Sequence, residues 1–314
     1  MATLPNPLPR LATDPSGRSL GLRLPPGRLV DLAYDGPWHE PLLWHAEKPA
    51  APGTWKALGA PAAQAGLLPV LIDLAATRGG LEDWVLLPGE TSYPGDHDAE
   101  DVLAEYWQEE TEDGELTEEI EPFGDTWPGL APAGSLAADP DTRAAQIADG
   151  LEGGREGAEG ARRGRGGERA QARRVEHGRL LDPGTERPGG EPREKRRGAA
   201  IEEAHLALVP ARRSADIPAA IGWTGPVNYE SDVARICAVL RSWEDRFGIR
   251  VVALGLDTLV VSVAAPPATQ EDAEVLAAEH FAFCPDNVLQ GEETTVRTYA
   301  KGLVGRPVWT FWWD

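Results

Sequence analysis

The chain has 314 residues, 41% of them hydrophobic, enough for one large or two medium cores. Its formal charge is −21, from 51 acidic against 30 basic side chains. That balance argues against nucleic acid and anionic membranes as partners, because phosphates need an excess of Lys and Arg, and it is compatible with a cationic protein. Two cysteines, Cys237 and Cys284, make neither a disulfide scaffold nor a zinc cage and predict a reduced, cytoplasmic protein. The first nine residues carry three prolines and no basic-then-apolar pattern, so no signal peptide is expected, and no apolar run is long enough to cross a bilayer.

In chain order, residues 1–20 read as an irregular leader rich in Pro, Gly and Ser. A mixed α/β region follows over 21–150. Short apolar runs around Leu22–Leu24 and Leu29–Leu32, split by Pro25-Pro26-Gly27, predict two short strands. Gly66–Leu74 and Trp84–Leu87 are continuous apolar runs bounded by Gly or Pro and predict buried strands with a hairpin-like link. Val102, Leu103, Tyr106 and Trp107 form the apolar side of a helix opening near Pro94 and running to Gln108. Glu109–Glu121 reads as a solvated acidic loop, and Asp139-Pro140 as a helix start.

Residues 151–204 form a basic linker or insertion. Positions 151–200 hold 12 Gly, 12 Arg and no aromatic residue, a composition that cannot bury enough surface to offset chain entropy, so disorder is expected. Contact with RNA finds little support, because neither regular repeats nor interleaved aromatics are present. A GC-rich gene read in a shifted frame yields similar composition, which the intact mass of the native protein distinguishes.

From 205 to 314 the pattern predicts an α+β domain: a small, mainly antiparallel sheet packed with helices. His205–Pro210 is a strand, Ala215–Trp223 a short helix, and Ser231 caps an amphipathic helix that Gly248 stops. Ile249–Leu254 and Thr258–Val263 make an antiparallel hairpin. Thr269 caps the next helix with Asp272 three residues on, a short helix spans Thr295–Leu303, and Pro307–Trp313 is the closing strand.

Within this stretch, Arg241-Ser-Trp-Glu-Asp-Arg-Phe-Gly248, Asp257-Thr-Leu259, Ala278–Asn287 and the final Phe311-Trp-Trp-Asp314 resemble a bacterial family known as domain of unknown function 4253. Leu208–Arg212 and Gly222–Tyr229 are similar too, so the resemblance covers about 206–314. The family has no established activity, and the resemblance implies no catalytic residue. It does imply that the strand at Leu206 follows a helix after a short link, which marks 151–204 as an insertion.

Three groups of residues could carry chemistry. His280, Cys284, Asp286 and Asn287 are spaced for a thiolate–imidazole pair with an orienting group, against which stands a buried cysteine beside a surface histidine, followed by a turn. Asp96, His97, Asp98, Glu100 and Asp101 offer oxygen and imidazole ligands, but helix capping explains these carboxylates without a metal. On the closing strand Trp309, Phe311 and Trp313 alternate with Thr310, Trp312 and Asp314, so one face is core. Trp312 and Asp314, with Trp243, are the candidate partner-binding residues. No phosphate loop or nucleophile elbow is present, and no cofactor or metal is predicted. The leading expectation is a non-catalytic interaction module, of the kind an acidic immunity-type protein forms with a cationic one. The alternative is an enzyme using His280, Cys284 and Asp286.

Overall fold

The computed structural model describes residues 5–75, 77, 80–152 and 201–314. Of the disorder expected over 151–204, the ends need correction, since Leu151 and Glu152 close a helix and Ile201 is buried just before a strand begins at Ala204; the part at 153–200 lies outside the described residues. The strands among them are β1 (Gly27–Val30), β2 (Leu32–Ala33), β3 (Gly36–Pro37), β4 (Leu43–Ala46), β5 (Leu68–Asp73), β6 (Ala204–Val209), β7 (Arg250–Leu254), β8 (Thr258–Ser262) and β9 (Val308–Trp312). The helices are α1 (Thr54–Gln64), α2 (Ala99–Thr111), α3 (Pro140–Leu151), α4 (Ile217–Ile221), α5 (Val233–Phe247), α6 (Gln270–Phe283), α7 (Asp286–Leu289) and α8 (Val296–Lys301).

Seven strands form one sheet in the order β1-β4-β6-β5-β7-β8-β9, antiparallel except for the pair β5–β7; β2 and β3 pair separately. Strands from both sides of residues 153–200 therefore share one sheet, with β6 inserted between β4 and β5. Alternation along the central strands sends side chains to two faces. Val70, Ile72, Ala207 and Val209 join a large core with residues of α2, α4, α5 and α6. Leu71, Leu206 and Val260 face the other way, against Trp55 and Leu58 of α1 and Ala144 and Ala148 of α3. An irregular register between Val251 and Ala253 places Val252 and Ala253 together on this second face.

Several local expectations need correction. Trp84–Leu87 is not a strand: Gly80–Asp83 is a 3-10 turn and Leu86 makes a single bridge to Trp223. The reason is topological, because β6 and β7 already occupy both edges of β5 and leave no edge for a hairpin partner. Leu22 lies outside any strand and packs with Trp44, and the leader is anchored there too by Leu8 and Leu11. Asp232, not Ser231, caps α5, accepting from the Ala234 amide while also holding the Ser92 amide. The acidic run after Glu109 is not simply a solvated loop. α2 continues to Thr111, Ile120 is buried in the main core, and the Glu119 carbonyl accepts from the Val296 amide. Gly248, at φ 61°, stops α5, and Thr269 and Thr295 cap α6 and α8.

Candidate functional site

His280 lies near the end of α6, and Cys284 is that helix's C-cap; neither side chain has solvent access. They do not form a direct pair. His280 Nδ1 lies 3.1 Å from the Tyr299 hydroxyl, and the Asn287 amide donates to that hydroxyl at 3.3 Å and to the Thr310 carbonyl at 2.8 Å. The Cys284 thiol donates to the Trp312 carbonyl at 3.0 Å. Burial pushes the Cys284 thiol up and holds His280 well below the usual imidazole range, with Arg246 and Arg306 adding to the latter. A thiol held protonated is a poor nucleophile. This chain instead supplies donors to two carbonyls of β9, an edge strand of the sheet, and so seals that edge. Asp286 stands apart from it, accepting from the Asp314 amide at 3.0 Å and from Gln290.

Trp243 is fully buried and cannot meet a partner. Its indole donates to Glu279 Oε2 at 2.7 Å, and its ring stacks on Phe311 at 5.4 Å. Trp309, Phe311 and Trp313 fill the main core, as the alternation predicts. Trp312 faces the other way. α3 covers that face across β7 and β8, and Trp312, one strand further out, is left partly exposed beside exposed Asp314.

Around this end of β9 the acidic residues gather. Asp314 bonds to Asp286, and Glu110, near the end of α2, has its carboxyl raised by burial, then by Asp286 and Glu109. Among the described residues no Lys or Arg forms an ion pair with Glu109, Glu110 or Asp286. The sequence reading missed Glu110 because the acidic run looked uniform. Only the packing of α2 against α6 brings it to Asp286.

A second concavity lies past the carboxyl end of β5. This open cleft of about 460 Å³ is lined by Arg28, His45, Glu47, Thr77, Glu203 and His205, drawn from four separate stretches of sequence. His45 and His205 are almost fully buried, and Nδ1 of each lies 3.0 Å from the same acceptor, the Ala46 carbonyl. Arg28 Nε donates to His45 Nε2 at 2.8 Å, and Glu203 Oε1 lies 3.0 Å from His205 Nε2. No sequence motif announced this cleft. The only local signal was a pair of histidines within apolar strands.

Of the remaining acidic candidates, Asp98 caps α2 by accepting from the Glu100 and Asp101 amides, and His97 bonds to the Ser92 hydroxyl at 2.6 Å. Among the described residues no three His, Cys, Asp or Glu side chains are placed to hold a metal ion, and no helix is long and apolar enough to cross a membrane.

The fold defines a mixed α and β protein with a mostly antiparallel sheet. Residues 205–314, the C-terminal third, match the family model described as a domain of unknown function (DUF4253), as the resemblance implied. The matched stretch runs from β6 to the end of the chain, so it excludes β1, β4 and β5, which complete the sheet. Comparison with curated proteins and with solved structures found no match to the chain.

Proposed function

We propose that the protein is a non-catalytic interaction module that binds a cationic protein through the end of β9. The supporting observation is the acidic group of Glu109, Glu110, Asp286 and Asp314 at the end of β9, the strand whose other face carries partly exposed Trp312. The Glu110 carboxyl is raised by burial and by its acidic neighbours, so part of the cost of this arrangement is like-charge repulsion. A cationic side chain seated there relieves that repulsion, and the partly exposed indole of Trp312, on the other face of the strand, offers a separate apolar contact. The net charge of −21 steers a basic partner toward the molecule from a distance. Two free, buried cysteines suit a reducing compartment such as the cytoplasm.

Co-purification from native lysate tests this reading, with wild type compared against Glu110→Lys and Asp314→Lys. The expected result is a basic protein retained by wild type at low salt, released at high salt, and lost from both variants. Failure to retain a basic protein, or equal retention by the variants, removes the proposal.

A further inference from the structure

We propose that the cleft beyond β5 is a separate binding site for a small zwitterion of the α-amino-acid type. The argument rests on how its charged groups are held. Arg28 and Glu203 are exposed residues at the cleft rim, yet each is pinned by a histidine that is itself buried: Arg28 Nε by His45 Nε2, and Glu203 Oε1 by His205 Nε2. His45, accepting from Arg28 at Nε2, donates from Nδ1 to the Ala46 carbonyl, whereas His205 lies between that carbonyl and Glu203, and a neutral ring donates to one of the two at a time. Surface Arg and Glu side chains ordinarily lose much rotamer freedom on meeting a ligand, and prior fixing by buried rings lowers that cost. Buried groups that orient charged neighbours at a concavity are the arrangement expected of a prepared site.

The sign of the charges selects the ligand. Arg28 provides a cation, Glu203 and Glu47 provide anions, and Thr77 adds a hydroxyl. A ligand bearing only negative charge meets two carboxylates; one bearing only positive charge meets a guanidinium. A molecule with a carboxylate and an ammonium group matches both, the carboxylate on Arg28 and the ammonium on Glu203 and Glu47. The cleft volume lies within the range of small-molecule sites. His45 and His205 are positioning residues here, acting through Arg28 and Glu203.

The test is calorimetric titration of the full chain with the free L-amino acids, each compared with its decarboxylated amine and its N-acetyl acid. We expect at least one amino acid to bind and both half-charged controls to bind about tenfold more weakly or worse. Arg28→Gln and Glu203→Gln should each lower affinity by a similar factor, with the ligand-free melting temperature measured alongside to report any loss from the His45 and His205 contacts. Arg28→Gln should spare the affinity for the amine, and Glu203→Gln that for the N-acetyl acid. The proposal is overturned if no amino acid binds, if a half-charged control binds as tightly, or if both variants retain wild-type affinity. The variants leave Glu110 and Asp314 intact, so partner capture at β9 reads out independently.

Discussion

Glu279 is a carboxylate without solvent access, and four N–H groups account for it. Oε1 accepts from the Ala131 amide and Arg246, each at 2.7 Å; Oε2 accepts from Trp243 at 2.7 Å and from a second Arg246 nitrogen. Removing one member leaves the others buried and unpaired, so Glu279→Ala should cost about 3–5 kcal/mol in urea denaturation. Arg246→Met in the same chain should recover part of that loss. His280 gives a pH-dependent expectation. Its folded-state pKa lies well below the ordinary 6.5, so the unfolded chain binds a proton that the folded chain does not. Stability is therefore fully present above pH 6.5 and declines as pH falls below it, with a slope of at most about 1.4 kcal/mol per pH unit from this residue. Chemical denaturation of wild type and His280→Gln at several pH values between 7 and 5 checks this, and the variant should show the shallower slope.

At the scale of elements, β9 shows how an exposed edge is protected. Its inner side pairs with β8 over five residues. On the outer side Asn287 and Cys284 donate to the Thr310 and Trp312 carbonyls. Cys284 and Asn287, two of the residues whose spacing first resembled a catalytic cluster, thus protect the strand edge. Asn287→Ala should destabilise the protein by about 1–3 kcal/mol, because the Thr310 carbonyl and the Tyr299 hydroxyl lose a donor in a buried place. A conservative change at Asp286, to Asn, should cost far less because that side chain is partly exposed. Thermal melts of the two variants side by side distinguish a structural role for Asn287 from one shared equally by the cluster. Most helices were legible as elements from periodicity and caps: Asp139-Pro140 opens α3, Thr269 caps α6, and Gly248 stops α5. Trp84–Leu87 failed because an apolar run reports burial but not the availability of a strand edge.

At the scale of the molecule, the two flanks of residues 153–200 are firmly tied. Glu152 accepts from the Thr54 and Trp55 amides at the start of α1, and Asp73 accepts from the Glu202 and Glu203 amides. Ala148 and Ile201 share one apolar cluster, so both flanks sit on the same side of the sheet. Replacing 153–200 by a short Gly/Ser linker should leave the melting temperature unchanged or raise it by a few degrees, through the smaller loop to close. A fall of about 10 °C or more in a calorimetric scan would show that the segment contributes to the core. By contrast, a chain beginning at residue 205 lacks β1, β4 and β5 and exposes both edges of β6 and the free edge of β7. The matched family region is therefore not the whole of this sheet.

The local patterns of the chain determined the elements. A helix with one apolar face, a β-branched hairpin and an alternating aromatic strand are each written in consecutive residues, because helical and strand periods act over a few positions. Sequence also placed Trp309, Phe311 and Trp313 on a core face. Tertiary structure decided what no local period encodes. It inserted β6 between β4 and β5, buried His280 and Cys284, withdrew Trp243 from any surface, and left Trp312 partly open because α3 stops covering the sheet at β8. It also brought the local pairs Arg28–His45 and Glu203–His205 together at the Ala46 carbonyl, which lies 159 residues from His205 in sequence. Charge and hydrogen-bond partners chosen over such separations depend on strand order, which the apolar pattern of each strand leaves unspecified.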